Sequence, residues 1–418
     1  MKELEVIGKN IIRVDGLSKV RGRAIYPEDI NMDGMLYGKT LRSIKPHAYI
    51  KVDTSKAEKV DGVIKIFTAK DVPFNSHGVL YKDHEVFCSK KVRRIGDPIA
   101  FVVAKNNRIA ETAVRKIEVE YEEIEGVFDP IDAMKEGAPK VHDGGNIVHH
   151  CKIRKGNVEE AFKNCAVIIE EEYKTSMVDH AFLQPEAGIA YVDEDGKIVV
   201  CAATQYPHFD QEEIAEALSL QKEDVKVINP AVGGAFGGRE DITLQIHIAL
   251  AAKLLRKPIK TVYSREESFR AHCKRHPMIM NYKTGADKEG MLIGMQAEII
   301  ADTGAYASWV NNVVRKAVTH ATGPYEIPNV KIDGYGVYTN NPFAGAMRGF
   351  GAAQVPIAHE LQMDRLAEKL NIDPITIRIR NGFRVGSTTS TGQVLNESVP
   401  LINCIEAVAK SLNLLGGK

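Results

Sequence analysis

The sequence lacks most of the short motifs that identify an enzyme at a glance. Its six cysteines, Cys88, Cys151, Cys165, Cys201, Cys273 and Cys404, are scattered along the chain. None lies within a few residues of another, which excludes a local CxxC zinc site and a plant-type iron–sulfur ligand run. There is no excess of charge, with 55 basic and 55 acidic residues. A nucleic-acid binder neutralises phosphates and needs a basic surplus, so no nucleic-acid partner is expected. No apolar run is long enough to span a bilayer, and Met1-Lys2-Glu3-Leu4-Glu5 lacks the apolar core of a secretory signal. The expectation is a cytoplasmic protein with no membrane partner. The phosphate loop ending in Gly-Lys-Ser/Thr, the GxSxG elbow and the GxGxxG fingerprint are all missing. His272 and His276 lie four apart around Cys273, a helical spacing that can ligate a metal. The glutamate of HExxH is absent there, however, and Pro277 follows at once.

What the chain does have is a concentration of glycine. In Gly233-Gly234-Ala235-Phe236-Gly237-Gly238-Arg239-Glu240-Asp241 four glycines fall in six positions around one aromatic. Without a Cβ the backbone can approach a ligand closely. The Ala, Leu and Ile-rich run from Ile242 to Leu255 reads as a buried helix beginning at Asp241. A glycine loop feeding a helix N-terminus suits an anionic ligand, and it equally suits a tight turn packed on a helix.

At 418 residues the chain has room for two or three domains. Residues 1–24 form a polar, basic entry that reads as an arm or extended strand rather than a helix. Short β-type runs then dominate to about Tyr121, with a helix near Arg108–Arg115 and the half-exposed strand Ile117–Glu122. Residues 126–160 carry Pro130, Gly137, Pro139 and Gly144-Gly145 and read as a connector, interrupted by a short helix at about Val158–Lys163. Strands are expected at Val167–Tyr173, Ala187–Val192, Lys197–Ala203, Val225–Ile228, Ile259–Tyr263, His276–Lys283 and Leu292–Ala301, with two more near Val330 and at Tyr335–Tyr338. Helices are expected at Glu212–Leu220, at Gln354–Lys369, ended by Asp373-Pro374, and over Pro400–Leu414. The fold class is α+β.

Three polar clusters accompany the glycine loop. Thr204-Gln205-Tyr206-Pro207-His208 closes a strand, where Gln205 can donate to a ligand oxygen or stabilise a turn. Asn340-Asn341-Pro342 leads to Ala346-Met347-Arg348-Gly349-Phe350-Gly351, where Arg348 can clamp a phosphate or a carbonyl-rich ring, or form a surface ion pair. Arg315-Lys316 follows the small-residue stretch 302–308 and can reach a substrate carboxylate or remain a solvated pair.

Taken in order, these clusters resemble the molybdenum-binding subunit of the xanthine dehydrogenase and aldehyde oxidase family, the molybdenum hydroxylases. Residues 1–125, with Arg13-Val14-Asp15-Gly16 and Gly96-Asp97-Pro98, are similar to the family's a/b hammerhead domain with an N-terminal arm. After the 126–160 connector, residues 161–418 are similar to the first molybdopterin-binding domain. Val141-His142-Asp143-Gly144-Gly145-Asn146, Gln184-Pro185-Glu186, Ala203-Thr204-Gln205, GGAFGGRE and Ala346–Gly351 carry that likeness.

The resemblance implies hydroxylation of a carbon next to a ring nitrogen in a nicotinate-like or purine-like substrate, with water as the oxygen source. It implies a molybdopterin, in the cytosine dinucleotide form, whose molybdenum bears oxo and sulfido or selenido ligands and takes no ligand directly from this chain. Gln205, Phe236, Gly237 and Arg348 match cofactor-contacting positions, Gln205 at a molybdenum oxygen and the Phe236–Gly237 backbone N–H groups at the oxo group. Glu240, Lys316 and Phe350 match substrate-contacting ones, and Gln205 and Glu240 are the expected catalytic pair. Lys316 stands where xanthine-oxidising members place arginine, and a point charge replaces a planar fork there. Family subunits usually continue through a second molybdopterin domain that holds the glutamate base. The likeness here is to the split arrangement of bacterial nicotinate dehydrogenases, with large and medium molybdopterin subunits as separate chains. The expected partners are therefore a second molybdopterin subunit with the general-base glutamate, an iron–sulfur subunit with two-iron two-sulfur clusters, and an FAD subunit, in a dimer of heteromers. A non-catalytic scaffold that shields the cofactor is the alternative. Carbon monoxide oxidation requires a cysteine after the arginine, where this chain has Gly349.

Overall fold

A computed structural model describes residues 4–412 and 414. Among these residues the strands form three sheets. The largest runs Val225–Ile228, Ile198–Ala202, Ala187–Val192, Ile259–Val262, Leu36–Arg42, Pro98–Ala104 and Val63–Phe67. It crosses the expected domain boundary, because Leu36–Arg42 pairs in parallel with Ile259–Val262, Leu36 opposite Ile259. A second sheet runs Ile147–Lys155, Asn329–Tyr338, Leu292–Gly304, Met278–Ala286 and Val167–Lys174. A small third sheet joins Lys91–Val92, Ala48–Asp53 and Glu118–Glu123. No helix among the described residues is long and apolar enough to cross a membrane.

The helix Gln245–Leu255 is largely apolar, and every residue from Gln245 to Ala252 is buried. That is the pattern of a helix enclosed by the core rather than lying on it. It packs on the strands Ala187–Val192 and Ile198–Ala202. The approach is close because Gly188 lacks a Cβ: one placed there would lie 2.7 Å from Leu244 Cδ1 and 3.0 Å from Ile248 Cδ1. Arg256, in the left-handed region at φ 52°, closes the helix. The second sheet is covered by the helices Val310–His320 and Pro356–Leu370, whose buried residues join the strands in one core.

Several elements differ from the sequence expectation. The arm contains a short helix, Gly16–Val20, with no buried residue. The connector 126–160 includes a nine-residue strand, Ile147–Lys155, at the edge of the second sheet. Its Gly144-Gly145 breaker marks the entry to that strand rather than a loop throughout. The strands expected near Val330 and at Tyr335–Tyr338 are one continuous strand. Asp373 does more than end a helix: its carboxylate accepts from the Thr376 N–H at 2.7 Å and caps a further helix, Pro374–Asn381. The helices Arg265–Ala271 and Val310–His320 were unforeseen. The second was legible, since Val310, Val313, Val314, Ala317 and Val318 repeat at helical spacing and are all buried.

Gly188→Val should overpack the contact between sheet and helix and lower stability by about 1–3 kcal/mol. A chemical denaturation midpoint measures this, and an unchanged midpoint would show that the helix can shift to make room.

Candidate functional site

The strand Ile198–Ala202 ends just before Thr204, and the helix Pro207–Ala217 starts just after Tyr206. Gln205 lies in that turn, its backbone N–H donating to Arg239 O at 2.9 Å. Its side chain spans the glycine loop. Oε1 accepts from the Gly237 N–H at 2.8 Å, and Nε2 donates to Glu240 Oε1 at 3.2 Å. A backbone donor on the oxygen fixes the amide orientation, so the NH2 group faces Glu240. Gln205 therefore both stabilises a turn and presents a donor. The Gly237 N–H, expected to face a ligand, is taken by Gln205 instead.

The glycine loop is a compact turn, with Gly238 N–H donating to Ala235 O at 2.9 Å and Glu240 N–H to Gly237 O at 3.2 Å. It does not run straight into a helix end. The helix begins at Gln245, and the Gln245 side chain accepts from the N–H groups of Thr243 and Leu244, both at 2.9 Å. The glycine loop expected to open the helix is thus set apart from it by a turn that Gln245 ties to itself. What shapes the loop is Arg239, 4% exposed. Its Nε donates to Gly234 O at 2.9 Å and its Nη2 to Gln184 O at 2.5 Å. The guanidinium also lies 4.2 Å from the Phe182 ring centre. Gln184 adds a clamp, its Oε1 accepting from the Gly233 N–H at 2.8 Å.

The second loop docks on the first through the Arg348 N–H, which donates to Phe236 O at 2.9 Å. Gly237 permits the approach, since a Cβ there would lie 2.6 Å from Ala346 O. Phe236 and Phe350 both sit in the left-handed region, at φ 56° and 50°. Non-glycine residues adopt that conformation at a cost of roughly 1–2 kcal/mol each. Both are aromatics set between glycines, and Phe350 packs edge-on against Trp309 at 6.1 Å.

These elements enclose a pocket of about 390 Å³. All seven expected residues line it: Gln205, Phe236, Gly237, Glu240, Lys316, Arg348 and Phe350. Lys316 arrives on the helix Val310–His320, on its exposed side. Neither Lys316 nor the exposed Arg348 makes a side-chain ion pair among the described residues, so both cations are free to meet a ligand. Burial raises the Glu240 carboxyl above the usual range, and hydrogen bonds from Tyr206 and Gln205 partly offset the rise. Tyr206, which also lines the pocket, had been given no role of its own in the sequence. Its position directly after the amide was the available signal. Arg239 was visible only as part of a motif, because nothing in a sequence says which carbonyls a buried arginine will reach. His272 and His276 do not form a pair. His272 closes the helix Arg265–Ala271, whereas His276 Nε2 lies 3.3 Å from Thr303 Oγ1.

A Molybdopterin cofactor-binding domain model matches residues 141–382, and an Aldehyde oxidase and xanthine dehydrogenase a/b hammerhead domain model matches residues 21–125. The chain belongs to the xanthine dehydrogenase and aldehyde oxidase family of molybdenum hydroxylases, oxidoreductases that bind molybdopterin. It is 43% identical to the nicotinate dehydrogenase large molybdopterin subunit of Eubacterium barkeri, covering 99% of this chain and 98% of that one. It is 33% identical to the xanthine dehydrogenase molybdenum-binding subunit of Escherichia coli O157:H7, covering 94% of this chain and 54% of that one. Among solved structures, aldehyde oxidoreductase from Desulfovibrio gigas superposes with a TM-score of 0.93 at 29% identity, over 96% of this chain and 46% of that one. Quinoline 2-oxidoreductase from Pseudomonas putida 86 superposes at 0.89 with 26% identity, over 97% of this chain and 54% of that one. The chain thus spans nearly the whole of one relative and about half of the others.

The site's residues fit such a cofactor. Gln205 Nε2 is an oriented donor toward the pocket, and the Arg348 guanidinium, without an ion pair among the described residues, flanks it, matching the need to hold oxygen-rich groups.

Two outcomes are expected. Arg239→Ala leaves buried carbonyls of Gly234 and Gln184 without donors and should cost about 2–4 kcal/mol, read by denaturation. The second concerns Asp210, in the helix behind Gln205, which accepts from Gln245 Nε2 at 3.1 Å. Burial pushes its carboxyl up to about 7. The folded state then holds a proton that the unfolded state releases near pH 4, so stability falls as pH rises from about 4 to about 7, by at most about 1.4 kcal/mol per pH unit. Asp210→Asn should remove that part of the slope, which melting curves across this range would show.

Proposed function

We propose that this chain is the large molybdopterin subunit of a multi-subunit molybdenum hydroxylase. Its substrate is an N-heteroaromatic ring, nicotinate-like or purine-like, hydroxylated at a carbon next to a ring nitrogen with water as the oxygen source. The observation that carries the proposal is the convergence of all seven sequence-matched residues on one pocket, with the Gln205 amide locked by Gly237 and Glu240. Bound molybdopterin, in the cytosine dinucleotide form with a sulfido or selenido ligand on the metal, supplies the oxygen-transfer and two-electron chemistry.

The chain's own residues bind and orient. Gln205 Nε2 holds a donor at a fixed position, and a preorganised donor in a partly dry pocket stabilises developing negative charge better than water can. Arg348 holds the pterin side. Phe236 and Phe350 offer flat apolar faces for a ring. Glu240 and Lys316 then meet its polar edges with opposite charge. The Lys316 ammonium favours a substrate carboxylate, in keeping with the name of the Eubacterium barkeri relative. No side chain in the pocket is set up as the proton acceptor, since Glu240 is already bonded to Tyr206 and Gln205. The base belongs to a second molybdopterin subunit, and electrons leave through iron–sulfur and FAD subunits in a cytoplasmic dimer of heteromers.

Phe236 is 49% exposed on this chain, so the pocket is one-sided, which also suits a scaffold that only shields the cofactor. Kinetics separate the two readings. Gln205→Ala should lower kcat of the assembled complex by about 100-fold or more, with molybdenum content retained. Glu240→Ala should lower kcat/KM, and Lys316→Met should raise KM about tenfold for a ring bearing a carboxylate. Unchanged kinetics in both the Gln205 and Glu240 variants would favour the scaffold. An absorbance screen of nicotinate against purines, with metal and selenium analysis of the same sample, identifies the substrate and the metal's ligand.

A further inference from the structure

Behind the two pocket loops lies a second group of donor atoms, separate from the pocket lining. One ring nitrogen each of His180 and His272 and the thiol of Cys273 lie within 4.8 Å of one another. The three residues are 7%, 1% and 0% exposed. Sequence spacing paired His272 with His276, whereas folding brings His272 to His180, from the segment that precedes the strand Ala187–Val192.

His180 is arranged as a metal ligand usually is, with one nitrogen held by an acceptor and the other bare. His180 Nε2 donates to Ala346 O at 2.7 Å, and His180 Nδ1 is buried with no hydrogen-bonding partner. Both His272 nitrogens are buried without a hydrogen-bonding partner, Nε2 lying 3.4 Å from Asp179 Oδ2. Asp179 is in turn held by Lys274 Nζ at 2.8 Å. The Asp179 carboxylate thus stands within charge-pairing reach of His272, with a lysine to neutralise it. Cys273 is free of any disulfide, and its thiol hydrogen-bonds to the Asp241 carboxylate. Asp241 also accepts from Ser308 Oγ at 2.7 Å.

We propose that His180, His272 and Cys273 form a structural site for one divalent zinc ion, with a water as the fourth donor and the Asp241 carboxylate beside Cys273 as the second balancing charge. The N2SO set is borderline-soft, which suits zinc rather than calcium or magnesium. Tetrahedral zinc, with bonds of roughly 2.0–2.3 Å, needs donors roughly 3.3–3.7 Å apart. Side-chain rotations closing the triangle by about 1 Å bring the three into range. Binding converts the Cys273 thiol to a thiolate, and its proton leaves to solvent. The resulting charge, two positive from zinc against one each from Cys273 and Asp241, is balanced.

The position gives the ion a purpose. His180 holds Ala346, which abuts Gly237, and a Cβ on Gly238 would lie 2.9 Å from the His180 ring. Fixing His180 therefore fixes both loops that form the pocket.

The test uses the full-length chain with whatever subunits accompany it on purification. Metal analysis after dialysis against chelator, followed by titration with zinc, should give one tightly held zinc per chain and a raised melting temperature that saturates at one equivalent. Cobalt in place of zinc should show a thiolate-to-cobalt charge-transfer band and tetrahedral visible bands. Cys273→Ser should abolish the charge-transfer band, and His272→Ala should weaken binding at least tenfold. If those variants fail to fold, the stoichiometry, melting shift and cobalt spectrum of the unaltered chain decide the matter. Absence of stoichiometric zinc and of any cobalt thiolate band in the unaltered chain, or a band that survives Cys273→Ser, overturns the proposal.

Discussion

The pocket depends on one buried cation, the guanidinium of Arg239. A loop with four glycines in six positions has little intrinsic reason to hold a shape, because glycine loses the most conformational freedom on ordering. Arg239 replaces that missing stiffness. It reaches back to Gly234 O within the loop and across to Gln184 O, and it stacks over Phe182. Burying a guanidinium is costly unless its donors are met, so the arrangement works in both directions. The arginine fixes the carbonyls, and the carbonyls make its burial tolerable. Gln205 and Gln184 then each take a loop N–H, and the turn is fully tied to the strand ends beside it.

The second loop repeats the logic with a different staple. Its link to the first is a backbone bond, Arg348 N–H to Phe236 O, at a point where Gly237 leaves room. Each loop places an aromatic in the left-handed region between glycines. Backbone held in such a state persists only where its surroundings enforce it, and such places concentrate at ligand sites. The seven-stranded sheet supplies that enforcement. It is continuous from the hammerhead strands into the strands that carry Gln205 and the helix behind the loop, so the pocket rests on one rigid layer.

Much of this was legible before folding. Strands such as Ala187–Val192 and Val225–Ile228 stand where their apolar runs predicted. The short helix Val158–Lys163 does too, since Asn157 caps it through a local bond to the Glu160 N–H. Short-range patterns are readable because their causes are short-range. The strand Ile147–Lys155 was missed because its breakers lie just before it and it pairs with Asn329–Tyr338, far along the chain. The helix Val310–His320 was missed for a different reason. Its apolar repeat was present, but the small-residue stretch before it drew the reading toward loop.

By itself the sequence determined the family and singled out seven residues that the fold brings to one pocket, since both follow from residue types in a fixed order. The tertiary structure alone decided how they act on one another. That Gln205 gives its oxygen to Gly237, that Arg239 reaches the Gln184 carbonyl, and that His272 lies beside His180 instead of His276 are long-range facts. Each depends on which buried polar group finds a partner, and that choice exists only once the strands have set the distances.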